Sequence, residues 1–181
     1  MIPNDLHAYM GISLGLGLTV LRNLDIVELC SGVARIARWG ELGGLAVAAL
    51  DRTCAPHMDM TTPEGQALSL MLLLRIRRHG LCFNAAQCSS WVWIGRKQTR
   101  RSAGEPLGDT TVPSVREGNT LNAHTALLAR IATVISVHWV VEQPASSLFF
   151  HTPNMRDIIK TSGANRSYFK MGSLRHSMPK G

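Results

Sequence analysis

The chain has 181 residues, 45% of them hydrophobic, with a formal net charge of +7, a pI near 9.8 and a mean hydropathy of +0.06. That describes one soluble globular domain, too short for two comfortable ones, and no apolar run approaches the roughly eighteen residues a membrane span requires. The positive charge suits an acidic partner such as nucleic acid, although aromatic residues make up only 6% of the chain. Cys30, Cys54, Cys82 and Cys88 form no C-x-x-C pair and show no zinc-type spacing with histidine. Reduced thiols in an intracellular protein, with no metal centre, are the expectation.

Residues 1–22 read as an N-terminal packing segment. Glycines 11, 15 and 17 make it a marginal helix, and the apolar stretch from Gly11 to Leu21 lacks the basic leader of a secretory signal. The core, 23–145, opens on a buried strand at 24–29 that breaks at Ser31-Gly32, a pair suited to a tight turn. A helix follows through Val33, Ile36, Ala37 and Trp39, Gly43-Gly44 ends it, and a second apolar run, 45–50, stops at Asp51. Strand, glycine turn, helix, strand and terminal acid form a β-α-β unit with a nucleotide-binding layout, the acid about twenty residues beyond the turn. A single glycine in the turn disfavours a dinucleotide, whose pyrophosphate needs G-x-G-x-x-G.

Further along, Thr62-Pro63-Glu64 supplies an N-cap, a first-turn proline and a first-turn acid for a helix expected to reach Arg78. A strand at 81–86 runs into Gln87-Cys88-Ser89-Ser90-Trp91. In an open parallel sheet these residues face the crevice at the carboxyl ends of the strands. Residues 95–119 read as a loop, with Arg96, Lys97, Arg100 and Arg101 filling four of six positions. An amphipathic helix over 119–136 precedes a strand at 137–141 that ends in Glu142-Gln143-Pro144. The tail, 146–181, holds a short helix near 155–161 and a last strand near 167–171. The fold class expected is α/β, a three-layer doubly wound Rossmann-like sheet, mostly parallel.

The run Glu28-Leu29-Cys30-Ser31-Gly32 resembles the first motif of S-adenosylmethionine-dependent methyltransferases. Taken with Asp51, His57-Met58-Asp59, Gln87-Cys88-Ser89 and Glu142-Gln143-Pro144 in this order, it resembles the carbon-5 cytosine methyltransferases. The phrases CSSWVW, PLGDT and VVEQP look like a group of uncharacterised methyltransferase-like proteins of dinoflagellate algae, and the likeness runs from about residue 24 to 175. The resemblance implies S-adenosylmethionine as cofactor, with Glu28, Ser31 and Gly32 on its methionine part, Asp51 on its ribose and Asp59 on its adenine. It implies that Cys88 attacks carbon 6 of a flipped cytosine while Glu142 holds the ring, and the basic residues at 96, 97, 100 and 101 could grip a nucleic-acid backbone. Each residue also has a structural alternative: Cys88 as a buried small residue, Glu142 as a strand-end acid, Asp59 as a helix-start acid.

Several positions depart from the family pattern. Gln87 stands where a proline precedes the nucleophile, Ser89 where a glutamine follows it, and Ala34 where a second glycine is common. The residues after Met171 are too few for the large target-recognition region of such enzymes. The leading expectation is a methyltransferase domain with nucleic acid as substrate class. Beside it stand a catalytically inactive accessory subunit of a larger assembly and a small-molecule methyltransferase using Asp59 or Glu142 as base.

Overall fold

The computed structural model describes residues 21–168. The expected helix in 1–20 and the end of the expected strand at 169–171 lie outside them. Four parallel strands, β1 (Leu24–Leu29), β2 (Val47–Leu50), β3 (Ile76–Asn84) and β4 (His138–Val141), form one sheet in the order β2-β1-β3-β4. Helices α1 (Arg35–Leu42), α2 (Pro63–Leu74), α3 (Pro113–Val134) and α4 (Pro153–Ser162) join and flank them. The result is the three-layer Rossmann-like arrangement expected of alternating strands and helices. Among the described residues no helix is long and apolar enough to cross a membrane.

Alternation along β1 decides which layer covers which face. Val27 and Leu29, both at 0% exposure, enter the main core with Leu72 and Leu73 of α2 and Leu121, Leu128 and Ile131 of α3. Glu28 points the other way, where its carboxylate accepts the Ala37 amide of α1 at 2.8 Å. A second core, under α3 and α4, gathers Trp91, Phe149, Met155 and Ile158.

Two boundaries differ from the sequence reading. Helix α2 stops at Leu74, not Arg78, because Ile76 already pairs with Leu24 of β1. The arginines assigned to the helix end serve the strand instead: Arg77 pairs with Asp25 at 2.7 Å and Arg75 donates to Asn23 at 3.1 Å. Helix α3 starts at Pro113, inside the stretch read as a loop. Its start repeats that of α2: in Asp59-x-Thr61-x-Pro63 and Asp109-x-Thr111-x-Pro113, one carboxylate oxygen accepts both the amide and the hydroxyl of the threonine two residues on. Proline then opens the helix where no amide partner is needed.

Between α2 and α3 the buried His124 ring places Nε2 2.7 Å from Ser69 Oγ. Ser69 donates its proton to the Gln66 carbonyl at 2.8 Å, so the imidazole is the donor of the pair. Burial pushes its pKa down to about 4 from 6.5. Below pH 6.5 the unfolded chain therefore takes up a proton that the folded one refuses, and stability falls on acidification by about 1.4 kcal/mol per pH unit until pH 4. Urea unfolding across this window should show the parent losing about 3 kcal/mol more than a His124→Gln variant, from that slope.

Candidate functional site

The carboxyl ends of all four strands lie on one side of the sheet, and short contacts tie them together. Ala85 N–H donates to Leu29 O at 3.1 Å, Ser31 N–H to Leu50 O at 3.1 Å and Glu142 N–H to Asn84 O at 2.9 Å. The turn after β1 runs Cys30-Ser31-Gly32-Val33-Ala34, with left-handed φ values of 53°, 53° and 52° at Cys30, Gly32 and Ala34. A glycine accepts that conformation freely, whereas an alanine or cysteine there stores roughly 1–2 kcal/mol of strain. Ala34, which departs from the family pattern, thus keeps the backbone shape that a glycine would take.

Asp51 closes the turn. Its Oδ2 accepts the Gly32 amide at 2.8 Å, while Oδ1 takes the Thr53 amide at 2.9 Å and hydroxyl at 2.6 Å. Partial burial opposes its charge, yet the Thr53 and Gly32 donors and the nearby Arg52 hold the carboxyl below its ordinary value. Gly32 and Asp51, which the resemblance assigns to the methionine part and the ribose of one cofactor, are therefore in direct contact. Asp59 is half-buried and commits only Oδ1, to Thr61. Both acids act on Cys30, whose thiol is pushed up to about 12 by burial first and then by the charges of Asp51 and Asp59. Cys30, absent from the residues expected at the site, sets its sulfur 3.9 Å from Met60 Sδ, the residue after Asp59.

Fit to an S-adenosylmethionine-sized ligand can be judged from these groups. Among the described residues a side chain on Gly32 would meet nothing within 4 Å, which leaves space over the turn. Asp51 Oδ2 accepts one hydrogen bond and has a second lone pair for a hydroxyl, and Asp59 Oδ2 has no partner among the described residues. Ser31 is 8% exposed. Glu28 is buried and holds α1 through Ala37, which places it behind the turn.

On the neighbouring loop Cys88 is half-buried and unpaired by disulfide. Gln87, in place of the family proline, receives the Arg52 guanidinium at 3.1 Å and donates to Ser89 Oγ at 3.1 Å. Arg52 also faces Glu117 of α3 at 3.8 Å, so the residue after Asp51 joins the end of β2 to the Cys88 loop and to α3. Glu142 is half-buried at the end of β4 and lines an open groove of about 900 Å³ beside that strand, with Phe83, Val140, Phe150 and Arg166. Ser31, Gly32, Asp51 and Cys88 are not among the residues lining that groove.

The basic run divides. Arg96, Lys97 and Arg100 are exposed, Arg100 lying 3.6 Å from Asp109. Arg101, expected on the same surface, is buried at 2% exposure and cannot meet a phosphate backbone. Its guanidinium lies 3.5 Å from the centre of the Trp91 ring and donates to Pro106 O (2.6 Å), Asn119 Oδ1 (2.9 Å), Val115 O (3.1 Å) and Ser90 Oγ (3.4 Å). Burial pulls its pKa down to about 10. Gly118 makes this packing possible, since a Cβ there would come within 2.5 Å of Ser90 Oγ and 3.1 Å of the guanidinium. In the sequence Gly118 falls in the expected loop, and it becomes a packing signal only because the helix starts at Pro113.

Compared with known protein families, curated proteins and solved structures, the chain matches none of them.

Arg101→Ala would orphan two buried carbonyls and uncover the Trp91 face, for a loss of about 3 kcal/mol. Arg101→Lys should restore little of it, because an ammonium cannot fork to four acceptors or stack flat on an indole. Chemical denaturation reads both, and a lysine variant as stable as the parent would contradict this account.

Proposed function

We propose that this chain is an S-adenosylmethionine-dependent methyltransferase domain acting on nucleic acid. The observation that carries the reading is the Gly32–Asp51 contact at the carboxyl ends of β1 and β2, with space over Gly32 among the described residues and Asp59 alongside. In a parallel α/β sheet this is where a nucleotide-like ligand sits. Gly32 would leave room for the methionine part and Ser31 would offer it a hydroxyl, since Leu50 O and Asp51 Oδ2 already take their amides, while Asp51 would accept a ribose hydroxyl and Asp59 the adenine amine. Glu28 would act from behind by fixing the turn to α1. When bound, the cofactor supplies an electrophilic methyl group.

On the resemblance to carbon-5 cytosine methyltransferases, Cys88 would add its thiolate sulfur to carbon 6 of a flipped cytosine. The new C–S bond would move the ring electrons toward carbon 5, and once that carbon carries the methyl its proton would leave to a base as the C–S bond breaks and returns the thiolate. Glu142 would hold the ring through its nitrogen and exocyclic amine. One observation favours a second reading, a catalytically inactive methyltransferase-like subunit of a larger assembly: Glu142 lines the groove beside β4 and Cys88 does not. Methyl transfer to cytosine requires the two to converge on one base.

Calorimetric titration separates the readings at the cofactor. The parent should bind S-adenosylmethionine and gain about 2.7 kcal/mol of stability at a hundredfold excess over Kd, and Asp51→Ala should weaken binding at least tenfold. No binding by the parent would put the accessory-subunit reading first.

The chemistry has its own test. Oligonucleotides containing 5-fluorocytosine, offered with cofactor, should trap a covalent adduct visible by denaturing electrophoresis, and Cys88→Ser should abolish it. A parent protein that binds cofactor yet gives no adduct on single-stranded and double-stranded substrates would remove Cys88 from the mechanism.

A further inference from the structure

Two indoles lie two residues apart in the loop after β3, and they have opposite surroundings. Trp91 is at 0% exposure, edge-on to Phe149 at 5.3 Å and capped by the Arg101 guanidinium. Trp93 is 65% exposed and Ile94 beside it 78%. Exposing such a pair removes favourable burial, and here the surrounding backbone is firmly held. Trp91 N–H donates to Cys88 O at 2.9 Å and Leu148 N–H to Trp91 O at 3.0 Å. After Trp93–Gly95 comes the helical turn Arg96–Thr99, whose buried Thr99 donates to Gly95 O at 2.9 Å. Arg96 and Lys97 on this turn and Arg100 just after it are exposed.

We propose that Trp93 is a stacking platform for a base of single-stranded nucleic acid, with Arg96, Lys97 and Arg100 on the flanking phosphates. The proposal rests on the nucleic-acid half of the preceding reading and not on its chemistry. An exposed indole has a flat face that any base can cover, and the exposed cations that follow it in the chain can take phosphates. The chain's net charge of +7 favours approach of a polyanion. A lipid surface fits less well: a four-residue turn and two apolar side chains offer too little area for an interfacial anchor. The platform also follows Cys88 by five residues on the same loop, so a strand stacked there would run past the carboxyl ends of the sheet.

Anisotropy of a short fluorescent oligothymidylate, measured without cofactor, tests this independently of methyl transfer. The parent should bind, Trp93→Ala should weaken binding about tenfold or more, and Trp93→Phe should retain most of the affinity. Lys97→Ala should lower the slope of log affinity against log salt by about 0.7. Trp39→Ala, at an exposed indole on α1, should change nothing. All of these side chains are exposed, and equal melting temperatures confirm that the variants fold. Equal binding by Trp93→Ala and the parent would overturn the proposal. So would a parent that ignores the oligonucleotide but sediments with phosphatidylserine vesicles. Binding that persists while no adduct forms with 5-fluorocytosine would leave the platform standing and remove the chemistry alone.

Discussion

A guanidinium sealed in the protein without a carboxylate partner is the contact on which the upper half of this molecule depends. Burying an unpaired charge is costly, and Arg101 meets that cost with two backbone carbonyls, an amide oxygen, a hydroxyl and the face of an indole. Those acceptors come from Ser90, Trp91, Pro106, Val115 and Asn119, so one side chain fixes the loop after β3 to the first two turns of α3. Because its acceptors are neutral, the cluster gains nothing from opposite charge and loses little to added salt. The position of Cys88 and the presentation of Trp93 both follow from this internal brace.

The other half of the strand-end surface is organised by acids. Asp51, Asp59 and Asp109 each form the same turn with a threonine two residues later, committing one oxygen to the turn and freeing the other for a different task. In Asp51 that second oxygen accepts Gly32, and in Asp109 it faces Arg100. Arg52 then carries the pattern across to Gln87 and Glu117. Strand ends that share only backbone pairing are thereby joined through side chains, and burial, with the charges of Asp51 and Asp59, holds Cys30 as a neutral thiol.

Much of this was legible in the residues. Short apolar runs gave β1, β2 and β4 and the end of β3 to within two residues, because strands of a parallel sheet need just such runs, whereas β3 begins at Ile76, five residues before the expected start. The end of α2 was not legible, since the leucine run suits helix and strand alike and only pairing of Ile76 with Leu24 decides between them. The early start of α3 was written in the Asp-x-Thr-x-Pro phrase, which was visible in outline at Thr62-Pro63 and overlooked at 109–113. Arg101 was misplaced because four cations in six positions look alike in one dimension. Its direction is set by Trp91 and Gly118, ten residues before it and seventeen after it. The hydrogen bond between Gly32 and Asp51 joins residues nineteen apart, and no local pattern in the sequence signals it.

The brace has a consequence for how the chain can be lengthened. Between Arg101 and the buried Pro106, residues Ser102 to Glu105 form an exposed tip closed by its own hydrogen bonds, Ser102 N–H to Glu105 O at 3.1 Å and Glu105 N–H to Ser102 Oγ at 2.9 Å. No acceptor of the guanidinium except Pro106 O borders this tip, and none lies within it. Loop closure grows more costly only slowly with length, by about 0.6 kcal/mol for each doubling. An inserted segment would therefore emerge beside the carboxyl ends of the strands while Ser90, Trp91, Val115 and Asn119 kept their places. The fold thus has a point of growth next to its candidate site, where added residues could contact a bound molecule without repacking either core.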